Sequence, residues 1–238
     1  MILVIPSIKI KHGKCACLIQ SLPEFPKVYP DDPIKVAKIW RKENARALCL
    51  IDVDGEISGR PQNFEIIEKV ANEVDIPVIV SGGFRTYEDV KQAIDSGILR
   101  VILDPETVND LKLLKELVNE FTSKRISLKI VDESDGKSEN SHAIENSLKV
   151  KESGIERIVY KNVFEDENVN FIGLKNFVLK INLKITVEGE LNSYYELKKL
   201  SDFEKWGVDS IIMGKSLYYN KFPCQRLWRI VENEIDFK

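Results

Sequence analysis

Three lysines stand where an amine could do chemistry. Ser7-Ile8-Lys9-Ile10 recurs 120 positions later as Ser127-Leu128-Lys129-Ile130, and Lys161 follows the run Ile158-Val159-Tyr160. An ammonium becomes a nucleophile or a general base only when burial or neighbouring cations lower its pKa, and three lysines directed into one mouth repel each other in that sense. The same lysines can instead pair with Asp52, Asp54, Asp104 and Glu188 and fill the mouth with a polar plug. Asp52 and Asp54 are then either substrate-facing carboxylates or partners of the lysines. Two glycine turns complete the set, Ser81-Gly82-Gly83 and Gly214-Lys215-Ser216, the second opening a short helix. Backbone N–H groups at such turns hold phosphate, although a tight strand-to-helix turn by itself also favours glycine. Arg85, just past the first turn, fits either a phosphate or an ion pair with Glu88 or Asp89.

The elements that must position these groups repeat regularly. Short β-branched runs near 2–9, 47–52, 76–80, 99–103, 126–131, 156–160, 183–187 and 208–213 read as strands. Helical patterns lie between and after them, near 33–44, 61–74, 86–97, 107–122, 139–153, 170–181, 192–205 and 224–235. Asp32-Pro33 makes a good helix start, and Gly97 and Gly154 fall where helices must end. Val78-Ile79-Val80 and Ile211-Ile212-Met213 are apolar on both sides, as buried parallel strands are. Eight strand–helix units predict an α/β fold, a single (β/α)8 TIM barrel spanning 1–238, with a doubly wound sheet as the alternative. The loop over 11–31, with Pro23, Pro26 and Pro30, is expected to hang over the first strand. Val80–Tyr87 is echoed by Val187–Tyr194 and Arg100–Asp104 by Ser210–Gly214, which divides the barrel into half-repeats of about 1–122 and 123–238.

Composition narrows the function classes. Lys+Arg 35 against Asp+Glu 38 leaves a net charge of −3, too balanced for a nucleic-acid partner. No apolar run reaches the ~18 residues that span a bilayer, and the first residues lack signal-peptide organisation, so a cytoplasmic chain without membrane association is expected. Cys15, Cys17, Cys49 and Cys224 form no CxxC pair and only two histidines are present, so thiols are expected and no metal or cofactor. His12 and His142 each stand alone and read as solvated. Cys15 and Cys17 lie near Lys11 and Lys14, which can lower a thiol pKa, but alternation on a short strand explains them equally well. The segment 133–139 reads as a lid or an ordinary solvated loop. Lysine, glutamate and isoleucine enrichment fits a heat-adapted source or an AT-rich genome.

Over nearly its whole length the sequence resembles the histidine-biosynthesis (HisA/HisF) barrel family, which contains a ribotide isomerase and its cyclase sister. The resemblance is carried by Ile5-Pro6-Ser7-Ile8, Asp31-Asp32-Pro33, Leu50-Ile51-Asp52-Val53-Asp54-Gly55, Val80-Ser81-Gly82-Gly83-Phe84-Arg85 with Glu88-Asp89-Val90, and Ile212-Met213-Gly214-Lys215-Ser216-Leu217-Tyr218 with Lys221-Phe222. Asp52–Gly55 and Lys215–Tyr218 resemble the isomerase more than the cyclase. The resemblance implies an aldose-to-ketose rearrangement of a bisphosphorylated substrate, with carboxylates on the first and fifth strands and phosphate cradles at paired glycine turns. At the two carboxylate positions this chain has Lys9 and Lys129, and Lys161-Asn162 replaces a Thr-Asp pair. Asp104-Pro105 and Glu188-Gly189-Glu190 alter one turn of each cradle, and carboxylates there repel a dianion and occupy its hydrogen-bond donors. The resulting expectation is divergence from the isomerase. The chain would act on a small phosphorylated sugar or carbonyl compound through Lys9, Lys129, Lys161 and Asp52, with phosphate at Ser81, Gly82, Gly83, Gly214 and Lys215. The alternative is a non-catalytic descendant that binds a metabolite or a partner, with the authentic ribotide isomerase activity ranked third because both family carboxylates are replaced. A monomer or small homo-oligomer is expected.

Overall fold

The computed structural model describes residues 2–16, 31–134, 141–162, 167–219 and Phe222. Among these, nine strands form one sheet that closes on itself: β1 (Leu3–Lys11), β2 (Lys14–Cys15), β3 (Leu48–Asp52), β4 (Val78–Ser81), β5 (Arg100–Leu103), β6 (Ile126–Asp132), β7 (Arg157–Asn162), β8 (Lys184–Glu188) and β9 (Val208–Met213). Eight of them are parallel staves, and pairing of β9 back onto β1, Leu3 opposite Ser210 through Pro6 opposite Met213, completes the barrel. The remaining strand, β2, is a short antiparallel return on β1. It lies in the segment read as a hanging loop. The chain is a (β/α)8 barrel.

Helices α1 (Pro33–Lys42), α2 (Val53–Ser58), α3 (Phe64–Glu73), α4 (Tyr87–Asp95), α5 (Leu111–Phe121), α6 (Ser141–Glu152), α7 (Phe171–Val178), α8 (Tyr194–Ser201) and α9 (Lys215–Tyr218) follow the staves. Their starts are chemically marked: Asp32, Thr86, Asp110, Asn170 and Ser193 each accept backbone N–H bonds from the first turn, satisfying donors a helix cannot pair internally. Only α2 was not foreseen. The expected helix over 224–235 and the residues Cys17, Lys221 and Cys224 lie outside the described residues.

Strand alternation separates two apolar layers. Ile8, Leu48, Leu50, Val80, Val101, Leu103 and Leu128 face outward into the layer shared with Val36, Trp40, Ile67, Leu114 and Leu117 of the helices. Ile5, Cys49, Ile51, Ile79, Ile102, Val159 and Ile212 fill the barrel interior. Each buried aliphatic side chain contributes roughly 1.5–3 kcal/mol, so the larger outer layer carries most of the stability. That leaves the C-terminal mouth free to hold polar groups. Lys9 has the inward parity of Ile5, Lys161 that of Val159, and Lys129 that of Ser127.

Candidate functional site at the barrel mouth

At the C-terminal ends of the staves lies a cavity of about 250 Å³, lined among others by Lys9, Lys161, Asn162, Glu167, Glu188 and Glu190. Its charges are arranged in pairs. Glu188, at the end of β8, accepts from Lys161 Nζ at 2.9 Å and lies 3.3 Å from Lys129 Nζ. Register enforces the first contact, because Lys161 and Glu188 are directly opposite on β7 and β8. Lys129 is almost wholly buried, with 6% of its side chain exposed, and donates to Glu56 of α2 at 2.9 Å. Lys9 pairs with Glu167 at 3.3 Å.

The electrostatics follow from those distances. Burial opposes the charge on Lys129, but Glu188 and Glu56 outweigh it and hold the ammonium above the usual lysine range. Burial likewise opposes the charge on Glu188, and Lys129 with Lys161 brings its carboxyl down to about 2. The lysine–lysine approach needed for a neutral amine is therefore not what Lys129 experiences. Carboxylates surround it, and it stays protonated.

The partners differ from those expected. Asp52 is fully buried and turned away from the mouth: its carboxylate accepts N–H bonds from Gly55 at 2.8 Å, Gln62 at 2.7 Å, and both the backbone and side chain of Asn63 at 2.7 and 2.6 Å. It shapes the loop between β3 and α3, so its assignment as a catalytic, substrate-facing group is corrected. Asp54 accepts from Asn63 Nδ2 and the His12 backbone, which hold its carboxyl below the ordinary range. Arg85 binds Asp104 at 2.7 Å and Glu106 at 3.3 Å, not Glu88 or Asp89. Burial pushes the Asp104 carboxyl up, and Arg85 offsets this in part.

Both glycine turns already hold carboxylates. The N–H of Gly83 donates to both oxygens of Asp104 at 3.2 Å. The N–H groups of Gly214, Lys215 and Ser216 donate to Glu190 at 2.9, 2.8 and 2.7 Å. The acids at these turns occupy the hydrogen-bond donors as expected, and Glu190 is itself the anion at its turn. Glycine at 82 and 83 also has a steric cause: with φ of +103° and +85°, a Cβ would lie 2.2 Å from the Asp52 carbonyl oxygen and 2.4 Å from the Arg60 carbonyl carbon. The Ser81 hydroxyl is buried without a partner among the described residues.

Glu56 and Glu167 were missed. Asp52 as N-cap and Gly59 in the left-handed region bracket α2, and that pair of capping signals could have revealed the helix that carries Glu56. Asn162 is buried too. Its Nδ2 donates to the Asp132 and Ser134 carbonyls, while its Oδ1 has no partner among the described residues.

A family model described as histidine biosynthesis protein matches residues 3–223. The chain belongs to the histidine biosynthesis protein family. A relative from Chloroherpeton thalassium is 37% identical over 244 residues, covering 98% of this chain and 93% of the relative. Relatives from Prosthecochloris aestuarii and Pelodictyon phaeoclathratiforme are also 37% identical, over 95% and 98% of this chain and 90% and 95% of their own lengths. All three are named 1-(5-phosphoribosyl)-5-((5-phosphoribosylamino)methylideneamino)imidazole-4-carboxamide isomerase. Full-length likeness at this level to proteins of one name overturns the expectation of divergent chemistry, and with it the alternative of a non-catalytic binding descendant. Lysine at positions 9 and 129 leaves the mouth with carboxylates within reach, Glu188 beside Lys129 and Lys161 and Glu167 beside Lys9. No helix among the described residues is long and apolar enough to cross a membrane, and no cluster among them could hold a metal ion.

Proposed function

We propose that this histidine-biosynthesis family barrel is an imidazole-carboxamide ribotide isomerase, converting an aldose to a ketose on a doubly phosphoribosylated substrate. The observation that carries the reading is 37% identity over 98% of the chain to a relative of that name. The ring C1–O bond breaks as the ring oxygen gains a proton, C2 then loses one, and the resulting enol gives up its hydroxyl proton as C1 gains one, so the reaction is redox-neutral and nothing leaves. It consumes no cofactor. The setting expected for it is the cytoplasm, with a monomer or a small homo-oligomer.

The mouth offers a group for ring opening and one for the proton at C2. Glu188 is the carboxylate placed to take the C2 proton, and Lys161, which lines the same cavity, is the ammonium placed to protonate the ring oxygen. Lys129, buried and doubly paired, positions Glu188, and Lys9 meets the anionic substrate. A carboxylate with a pKa near 2 is a weak base, but substrate that draws Lys161 away from it removes one of the two ammoniums responsible and raises its basicity. Gly82-Gly83 and Gly214-Lys215 remain the proposed phosphate ends.

The test is direct. Purified protein given the aldose form of the ribotide should convert it to the ketose, and the gene should restore growth without histidine to an auxotroph lacking the isomerase. Soluble, folded protein that does neither would refute the reading.

A further inference from the structure

The two glycine turns are closed in a reciprocal way. In the half-repeats, Gly83 corresponds to Glu190 and Asp104 to Gly214, offsets of 107 and 110. In the first half the acid comes from the end of β5 and accepts from the turn after β4. In the second the acid comes from the turn after β8 and accepts from the turn after β9. Each half thus carries an internal carboxylate at a glycine turn, held by one backbone N–H in the first half and by three in the second.

The two are not equally held. Asp104 is locked by Arg85 at 2.7 Å. Glu190 has no lysine or arginine partner among the described residues; three backbone N–H groups are what hold it. Its own backbone is anchored separately, its N–H donating to the Glu167 carbonyl at 2.8 Å and its carbonyl accepting from Val169 at 3.0 Å. The side chain can therefore rotate out without the strand moving. Glu190 and Gly214 line the same cavity as Lys9 and Lys161. A Cβ at Gly214 would lie 2.5 Å from Ser7 Oγ, so a larger residue there requires that hydroxyl to turn away.

We propose that Glu190 is a specificity-determining residue: an internal carboxylate that sits in the place of a phosphate at residues 214–216, so that a phosphorylated sugar enters this end of the cavity only by displacing it. This rests on the isomerase reading for the substrate, but not for the displacement itself. A site open for only part of the time binds with an affinity reduced by the open fraction, so removing the internal competitor tightens binding. Exchange happens at Glu190, not at Asp104, because only Glu190 lacks a guanidinium.

The experiment titrates inorganic phosphate and ribose 5-phosphate into the full chain and into E190G and E190Q, by calorimetry and by the amide resonances of Gly214, Lys215 and Ser216. E190G is expected to bind both at least ~10-fold more tightly than wild type, with shifts centred on those amides and E190Q intermediate. In the isomerase assay KM should fall by more than kcat changes. Equal affinity in wild type and whichever variant folds would overturn the proposal, as would tighter binding that leaves the 214–216 amides unmoved. Because phosphate binding is read without turnover, tighter binding in a protein that never isomerises the ribotide would sustain the displacement and refute the isomerase reading alone.

Discussion

Replacing Glu188 with glutamine keeps the shape of the mouth and removes the charge shared by Lys129 and Lys161. In the folded protein the carboxyl lies at about 2, against an ordinary value of 4.5. At roughly 1.4 kcal/mol per pH unit, that difference corresponds to about 3 kcal/mol of stability. Because the folded value is the lower one, the contribution is fully present above pH 4.5 and is lost as the pH falls toward 2. At pH 7 Glu188→Gln is therefore expected to cost about 3 kcal/mol, within the range for breaking a buried pair, and to lower Tm by about 6–12 °C for a chain of this size.

Urea denaturation of wild type, Glu188→Gln, Lys129→Met and the double variant measures this at pH 7 and again between pH 5 and pH 3. Wild type should lose stability over the acid range more steeply than Glu188→Gln, which no longer has the group that titrates. The double variant should be more stable than the sum of the single losses by at least ~1 kcal/mol, because Lys129→Met removes an ammonium that Glu188→Gln leaves poorly paired. A loss within about 0.5 kcal/mol of zero for Glu188→Gln, with an unchanged acid slope, would show that the ion pairs contribute nothing and would remove the physical basis for Glu188 as a held carboxylate.

Gly82→Ala should destabilise the fold by more than about 3 kcal/mol, read by thermal denaturation, because φ is +103° and the new Cβ meets the Asp52 carbonyl oxygen at 2.2 Å; a tolerated alanine would mean the turn relaxes freely. In a variant with Cys15, Cys17 and Cys224 changed to serine, Cys49 should resist thiol reagents at neutral pH until the chain unfolds, since burial first, and then Glu188, push its thiol well above the ordinary range. Rapid labelling of the folded variant would contradict this.

The barrel was legible because its signals are local and periodic. Strand positions depend on runs such as Val78-Ile79-Val80, and the inward direction of Lys9, Lys129 and Lys161 depends only on alternation. Partner choice is not local. Glu56 meets Lys129 from 73 positions away, through a six-residue helix whose length is below what hydrophobic periodicity can reveal. Asp52 illustrates the same limit. A carboxylate at the end of a barrel strand reads as substrate-facing, but the even parity of Asp52 turns it out of the cavity and into the N–H groups of Gly55, Gln62 and Asn63.

The turn carboxylates behave as their positions imply, occupying donors that a phosphate would use. A carboxylate beside a phosphate turn is repulsive only if it stays beside it. Once its own side chain reaches the N–H groups, it satisfies them, and the turn no longer presents an empty cradle. The same exchange logic applies across the mouth, where Lys9 is paired with Glu167, Lys129 with Glu56 and Glu188, and Lys161 with Glu188. An anionic substrate entering such a mouth does not add new ion pairs to unoccupied cations. It replaces carboxylates that are already there, so net binding depends on the difference between two similar interactions. The cavity is selective for ligands that can satisfy the lysines and the 214–216 amides together, because a ligand that displaces Glu190 but leaves Glu188 and the lysines unchanged gains only half of the exchange.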